Sequence, residues 1–239
     1  MLNYLQDFIL PGIIVAVISY LLGSLSFSII FTRVFEHNTD IRTLGSGNAG
    51  ATNVLRSVGP KAALFTFIFD FAKGAASVLI GRAIFQYFCS GLSASPLVLE
   101  QAARYGGYIA GIVCVIGHIF PLYFGFKGGK GVLTSAAMIA LVDWRVFIIV
   151  ISIFIVMLIV TKIVSLSSMV AAASFPVTNF FLTYFLDYRG GNSAVTLSYV
   201  LATTAIALVL AVILIVKHKS NIERIKNGTE KKISVKHKS

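Results

Sequence analysis

Lys61-Ala-Ala-Leu-Phe-Thr-Phe-Ile-Phe-Asp70-Phe-Ala-Lys73-Gly-Ala-Ala-Ser-Val-Leu-Ile-Gly-Arg82-Ala-Ile-Phe-Gln-Tyr87 is apolar over a length that exceeds a bilayer crossing, yet it carries charge in its middle. About 20 predominantly apolar residues span the hydrocarbon core as a helix. Asp70 and Lys73 lie one helical turn apart within Phe-rich sequence. Placing such a charge at membrane depth costs about 3 kcal/mol on insertion scales. Two readings explain its presence. The pair is an ion bridge that fastens helices together, or Asp70 orients Lys73 towards a polar cavity.

The rest of the chain has the same character. Of 239 residues, 57% are hydrophobic and 12% charged, about half the charge of a soluble domain. Six further apolar runs flank this one, at about residues 9–32, 104–120, 131–142, 145–162, 166–186 and 194–216. The run 131–142 is short and follows a glycine-rich stretch, the kind of interruption that marks polar sites in membrane proteins. We therefore expect an all-α, polytopic integral membrane protein of seven transmembrane helices, with one membrane domain over 1–232 and a disordered basic tail over 233–239. No Lys or Arg precedes the first run and Asp7 occupies the place of a basic region, so a cleavable signal peptide is not expected.

Seven crossings place the termini on opposite sides. Fifteen Lys/Arg fall on one side (33–61, 127–130, 162 and the eight after Val216) and four on the other, at Arg82, Arg104, Arg145 and Arg189. The positive-inside bias puts the C-terminus in the cytoplasm and the N-terminus outside. The polar segments 42–60, 118–131, 165–168 and 217–232 then all emerge on the cytoplasmic side, a layout that suits a site rather than linkers.

The net charge is +11, which suits anionic lipid headgroups or an anionic substrate; an apolar chain with a short basic tail is a poor nucleic-acid binder. Cys89 and Cys114 sit in apolar runs and read as free buried thiols. The four histidines, His37, His118, His218 and His237, have no metal-ligand spacing, so no metal and no cofactor are expected.

The first polar segment reads Thr43-Leu-Gly-Ser-Gly-Asn-Ala-Gly-Ala-Thr-Asn-Val-Leu-Arg56. It fits G-x-G-x-x-G, but a membrane span precedes it and Asp70 falls inside another, which excludes a dinucleotide fold. Its glycines let backbone N–H groups approach an anion. Ser46, Gly47, Asn48, Thr52 and Asn53 add short-range donors, and Arg42 and Arg56 add guanidinium forks. The second segment, Gly117-His-Ile-Phe-Pro-Leu-Tyr-Phe-Gly-Phe-Lys-Gly-Gly-Lys-Gly131, fails the Walker pattern because Gly131 follows Lys130. It still sets Lys127, Gly128, Gly129, Lys130 and Gly131 before a helix start, where bare N–H groups bind phosphate. His118 beside it is either structural or handles a proton or phosphate. Ser165, Ser167 and Ser168 read as helix caps or as further donors. In the tail, Asn221 and Arg224 share a helix face, and Asn227-Gly228 forms a turn that folds Glu230 back.

Taken together, Gly45-Ser-Gly-Asn48 with Ala51-Thr-Asn53 and Arg56, Asp70-Phe-Ala-Lys-Gly74, Gly117-His-Ile-Phe-Pro121 with Phe126-Lys-Gly-Gly-Lys-Gly131, Ser165-Leu-Ser-Ser168, and Asn221, Arg224, Gly228 and Glu230 resemble the bacterial acyl-phosphate:glycerol-3-phosphate acyltransferase family (PlsY type). The resemblance runs from Gly23 to about Glu230. One departure is Leu25-Ser26-Phe27, where a proline is expected after Gly-Ser; it bears on helix bending more than on chemistry. The resemblance implies seven spans with the N-terminus outside. It implies a multi-pass protein of the bacterial inner membrane whose active site faces the cytoplasm. It also implies transfer of an acyl group from acyl phosphate to glycerol 3-phosphate, with membrane lipid as surroundings and an upstream acyl-phosphate-forming enzyme as partner. On this reading Ser46, Asn48, Asn53, Arg56, Asn221 and Arg224 hold glycerol 3-phosphate, and Gly47, Thr52 and Glu230 are further substrate-binding residues. Residues 128–131, Ser167 and Ser168 hold the acyl phosphate. Lys73, Lys127 and Lys130 offset charge as phosphate departs. The general base is His118 or the substrate's own phosphate. A transporter would show paired half-repeats, which are missing. The His-x-x-x-x-Asp pattern of acyl-CoA enzymes is missing too: Arg42, Tyr123 and Glu223 stand five residues after His37, His118 and His218.

Overall fold

The computed structural model describes residues 8–90, 96–193 and 195–233; the expected disordered tail beyond 233, His237, Asp7 and the first residue of the 194–216 run lie outside them. The described residues hold ten α-helices and no strand: α1 Leu10–Gly23, α2 Phe27–Phe35, α3 Ala51–Ser57, α4 Pro60–Ser90, α5 Pro96–Ile119, α6 Val132–Val142, α7 Trp144–Thr161, α8 Val164–Phe181, α9 Leu197–Lys217 and α10 Lys219–Lys226. Among the described residues six stretches are long and apolar enough to cross a membrane, the first being α1 and α2 together. The seventh expected crossing is α6, which has only 11 residues. The chain packs as two compact units, Met1–Val142 and Asp143–Ser239.

The first unit is built on α4, which packs most extensively against α5 and also against α1, α2, α3 and α6. Glycine makes these approaches close. A Cβ on Gly81 would strike the Gly106 carbonyl, and one on Gly106 would strike the Gly81 carbonyl. A Cβ on Gly23 would strike the backbone of Cys114, and one on Gly111 the side chain of Met138. Small residues at crossings are how membrane helices gain contact where hydrophobic burial gives no advantage over lipid. Arg82 Nη1 donates to the Leu141 carbonyl in the last turn of α6 at 3.0 Å, satisfying an end group that hydrocarbon would leave bare.

The expected single run at 9–32 is broken at Ser24–Ser26, between α1 and α2, without the proline expected there. The cause comes from another helix. Lys73 Nζ donates to the carbonyls of Gly23 at 3.1 Å and Leu25 at 2.6 Å. Those acceptors are tied up by the ammonium instead of by the next helical turn, the protein-lined setting in which irregular backbone survives at membrane depth. Beyond the break, α2 packs on α4 through a row of rings: Phe27 on Phe69, Phe31 on Phe69 and Phe65, and Phe35 on Phe65, with centroids 5.1–6.1 Å apart. Ile29, Ile41, Ala49, Val54, Ala62 and Ala63 form a buried cluster beneath the first polar loop.

In the second unit α8 packs against both α7 and α9. α8 contains Pro176 and continues as a π-helical turn over Leu182–Tyr188. This carries the expected 166–186 run two residues further.

Candidate functional site

In the first unit, buried charge organises the site from below. Lys73 and Asp70 are almost fully buried, with 3% and 2% of their side chains exposed, and Nζ lies 2.8 Å from Asp70 Oδ1. That oxygen makes no well-directed hydrogen bond, so the contact is ionic. The directed bonds of Nζ run to Gly23, Leu25 and, at 3.0 Å, to His118 Nδ1. An ammonium has three donors and no lone pair, so these three acceptors account for its protons. Lys73 is thereby placed as a strut between α4, the α1–α2 break and α5, not as a cation open to a cavity. The same contact orients the ring of His118, with Nδ1 towards Lys73 Nζ at 3.0 Å and Nε2 towards Gly129, where a Cβ would collide with it.

The two polar loops of this unit are held in contact. Arg42 Nη1 donates to the carbonyls of Phe124 at 2.7 Å and Lys127 at 3.1 Å. A Cβ on Gly129 would also strike the Ala49 carbonyl, and one on Gly128 would strike the His118 carbonyl. Asp40 anchors Arg42, accepting from its backbone N at 2.9 Å, Nε at 3.0 Å and Nη2 at 2.7 Å. The Arg42 hydrogen bonds hold the Asp40 carboxyl below the usual carboxylate range against partial burial, with Arg33 adding a weaker pull.

Within the first loop the side chains divide into organisers and free donors. Asn53, buried, spends its amide on the carbonyls of Ile41, Leu44 and Asn48, and its oxygen accepts from Ser46 N. The structure thus places Asn53 as the loop's internal brace. Gly45 and Gly47 adopt φ of 58° and 71°, a region costly for other residues. The side chains of Ser46, Asn48, Thr52 and Lys127 have no partner among the described residues and are exposed or half-buried. Arg56 is exposed and Lys130 half-buried beside buried Gly129 and Gly131; both are engaged with neighbours.

The second unit carries its own cluster. Glu230 Oε1 accepts from Ser165 Oγ and from Asn221 Nδ2, each at 2.6 Å, and Oε2 accepts from Arg224 Nε at 2.6 Å. Burial raises the Glu230 pKa, but hydrogen bonds from Ser165, Arg224 and Asn221 outweigh it and hold the group below its ordinary value. The hydroxyls of Ser167 and Ser168 bond back to the Ile163 and Val164 carbonyls at 2.9 Å, so they neither cap α8 nor point to a partner. Ser165 is the serine that reaches across. Arg42 and Ser165 carry more of the architecture than the sequence shows. Their signal is an aspartate two residues before an arginine, and a serine in the first turn of a helix facing a carboxylate.

These observations define an all-helical integral membrane protein with a glycine-walled, cation-bearing polar site at the ends of its helices. The sequence pattern of the glycerol-3-phosphate acyltransferase family matches residues 13–228. The chain is 37% identical to the glycerol-3-phosphate acyltransferase of Macrococcus caseolyticus, covering 92% of this chain and 95% of that one. It is 38% identical to that of Clostridioides difficile, covering 94% and 96%. Its fold matches crystal structures of PlsY (YgiH), an integral membrane glycerol 3-phosphate acyltransferase, in a glycerol 3-phosphate form (TM-score 0.69, 29% identity, 93% of this chain and 96% of that one). It also matches the lysophosphatidic acid form, with a TM-score of 0.68. The chain belongs to the glycerol-3-phosphate acyltransferase family, and specifically to its PlsY branch.

Proposed function

We propose that the chain transfers a fatty acyl group from acyl phosphate to the sn-1 hydroxyl of glycerol 3-phosphate, at the cytoplasmic face of a bacterial inner membrane. The products are 1-acyl-glycerol 3-phosphate (lysophosphatidic acid) and phosphate. The observation that carries this reading is the pairing of two glycine loops by Arg42 and Gly129 while Ser46, Asn48, Thr52 and Lys127 stay uncommitted. That is a surface prepared for anions. The solved relatives in glycerol 3-phosphate and lysophosphatidic acid forms supply the matching substrate and product.

The reaction needs alignment more than a reactive side chain. The sn-1 oxygen bonds to the acyl carbonyl carbon, the carbonyl C–O bond to phosphorus breaks, and phosphate leaves with the electron pair. Holding two phosphate-bearing molecules in register supplies the orientation term. Ser46, Gly47, Asn48, Thr52 and Arg56 take one phosphate; Lys127, Lys130 and the amides of Gly128, Gly129 and Gly131 take the other and offset charge as it departs. Asn53 shapes the first loop. Lys73 acts through His118 and the α1–α2 break. We assign Nδ1 of His118 as the acceptor from Lys73, which puts the ring proton on Nε2 and leaves no lone pair to offer, so the hydroxyl proton passes to a substrate phosphate. Seven crossings, with α6 the short one, follow from the apolar runs, and a cytoplasmic C-terminus follows from the charge bias. An upstream enzyme that makes acyl phosphate supplies the donor.

The decisive assay uses purified protein in lipid. Phosphate is released from acyl phosphate only when glycerol 3-phosphate is present, and acyl-CoA does not substitute. Ester formation from acyl-CoA at a comparable rate would overturn the donor assignment. For the proton, His118→Gln retains a tenth of the activity or more, whereas a general base contributes about 10²–10⁴-fold. A hundredfold fall at unchanged Tm would return His118 to that role.

A further inference from the structure

Within the first unit, α1 and α5 meet where the second glycine loop begins. A Cβ on Gly117 would strike the Tyr20 carbonyl and press on the backbone N of Ser24, so the two helix ends lie within hydrogen-bond reach of each other. Two hydroxyls from α1 use that proximity. Tyr20 Oη donates to the Phe120 carbonyl at 2.8 Å. Ser24 Oγ, on a fully buried residue, donates to the Tyr20 carbonyl at 2.8 Å and accepts from Leu122 N at 3.2 Å. Phe120 and Leu122 flank Pro121, which has no N–H of its own. The end of α1 therefore holds the turn by the last carbonyl before the proline and the first amide after it. The loop leans on that turn. Phe124 N and Phe126 N donate to the Pro121 carbonyl at 3.2 and 2.9 Å, and a Cβ on Gly128 would meet the Pro121 ring. Ser24 is itself held in place, because Lys73 Nζ grips the carbonyls on either side of it, at Gly23 and Leu25.

We propose that Tyr20 and Ser24 are positioning residues for the second glycine loop: they fasten its first turn to the end of α1, so that Lys127 and Lys130 are held in register with the phosphate of the acyl donor. They act through the turn at Pro121 and touch neither substrate. Arg42 ties the same loop further along, at the carbonyls of Phe124 and Lys127. One tie leaves a loop free to pivot, whereas two at separate points fix its tilt as well as its place, and tilt is what alignment of a reacting group requires. The strap also gives the buried Lys73 a second route to the site besides His118. Lys73 sets the α1–α2 break, the break sets Ser24, and Ser24 sets Leu122. The inference rests on the acyl-transfer reading for its ligand.

The test uses the full chain in lipid with Tyr20→Phe, Ser24→Ala and Ser24→Thr. KM is measured separately for acyl phosphate and for glycerol 3-phosphate, per folded molecule. Ser24→Ala raises KM for acyl phosphate by about fivefold or more, the order of one lost hydrogen bond, while KM for glycerol 3-phosphate stays within about twofold, so that the loss of binding falls on one substrate. Tyr20→Phe, which keeps the ring of a half-buried residue and removes a single oxygen, shifts the same constant in the same direction. Ser24→Thr keeps the hydroxyl and recovers part of the loss. A residue that only supported the fold would lower the folded fraction and Tm and leave both KM values unmoved. Unmoved KM for acyl phosphate in Ser24→Ala and Tyr20→Phe overturns the proposal, and so does an equal rise in both KM values. The strap is also read without any substrate, by amide hydrogen exchange. Both variants speed exchange over residues 122–131 by about fivefold and leave the middle of α5 unchanged, as expected for a locally loosened segment; unchanged exchange over 122–131 overturns the strap. A wild-type protein that does not acylate glycerol 3-phosphate sinks the functional reading instead, and the exchange result then decides on the strap alone.

Discussion

Asp40-Ile-Arg42 and Asp143-Trp-Arg145 are the same device built twice. In each, the aspartate accepts from the backbone N of the arginine two residues on at 2.9 Å, from its Nε at 3.0 Å and from its Nη2 at 2.7 Å. They differ in what the arginine does next. Arg42 turns its Nη1 to two neutral carbonyls of the second glycine loop. Arg145 turns both terminal nitrogens to a second carboxylate, Asp187, at 2.9 and 2.7 Å. With Arg33 also near Asp40, at 3.7 Å, the first device carries an excess of positive charge where anions are to be held. The second, with two carboxylates to one guanidinium, is closed on itself. One local geometry thus serves as a loop tie beside a polar site and as a fastening between helix ends.

Breaking the closed device gives the larger effect on stability. Arg145→Ala leaves two mostly buried carboxylates facing each other; removing one partner of a buried pair costs about 3–5 kcal/mol, and the third of Arg145 that is exposed brings the expectation to about 2–4 kcal/mol. Denaturation in detergent checks it, and kcat per folded molecule stays within about threefold. A normal Tm would show that Asp143 and Asp187 are not held by this arginine.

Breaking the open device acts on rate instead. Arg42→Ala removes the tie between the loops and lowers kcat/KM by about 10²-fold, the order expected when positioning slips by about 1 Å. Its Tm falls less than that of Arg145→Ala. Gly129→Ala attacks the same contact from the other side, because the added methyl meets both the Ala49 carbonyl and the His118 ring. It should match Arg42→Ala within about tenfold. Full activity in either variant would mean that the loops need not touch.

Much of this was readable before folding, and the unreadable part has a common cause. Run length gave the spans and the short α6, because hydropathy is written residue by residue. The pairing of Asp40 with Arg42 and of Asp143 with Arg145 was not read, because a two-residue spacing shows its meaning only once the backbone turns the guanidinium onto the carboxylate. Nor was the helix break at Ser24–Ser26, because its cause is an ammonium some fifty residues away bonding to backbone oxygens. For the same reason Asn53 read as a ligand: the three carbonyls that consume its amide are backbone atoms that no side-chain pattern reveals. Lys73 had two readings on the page, and the acceptors around it favour the bridge. Glu230 read as a substrate-binding residue because its partners Ser165, Asn221 and Arg224 meet it only once the chain turns back at Gly228.

The smallest effect is the response of Asp40 to acid. The Asp40 carboxyl is held below its ordinary 3.8, first by hydrogen bonds from Arg42. A carboxylate depressed on folding contributes stability that is fully present above its unfolded pKa and is lost as pH falls through the folded one. The contribution of Asp40 is therefore intact at neutral pH and fades below about pH 3.8. The carboxylate is half-buried at the surface and its partner Arg42 is itself partly exposed, so the effect is modest. Between pH 5 and pH 3 the Tm of Asp40→Asn should fall less steeply than that of wild type, while glycerol-3-phosphate binding weakens first in wild type, as the loop tie loosens before the helices do. Parallel Tm slopes would place the acid sensitivity elsewhere and reduce the Asp40 module to a turn that happens to carry charge.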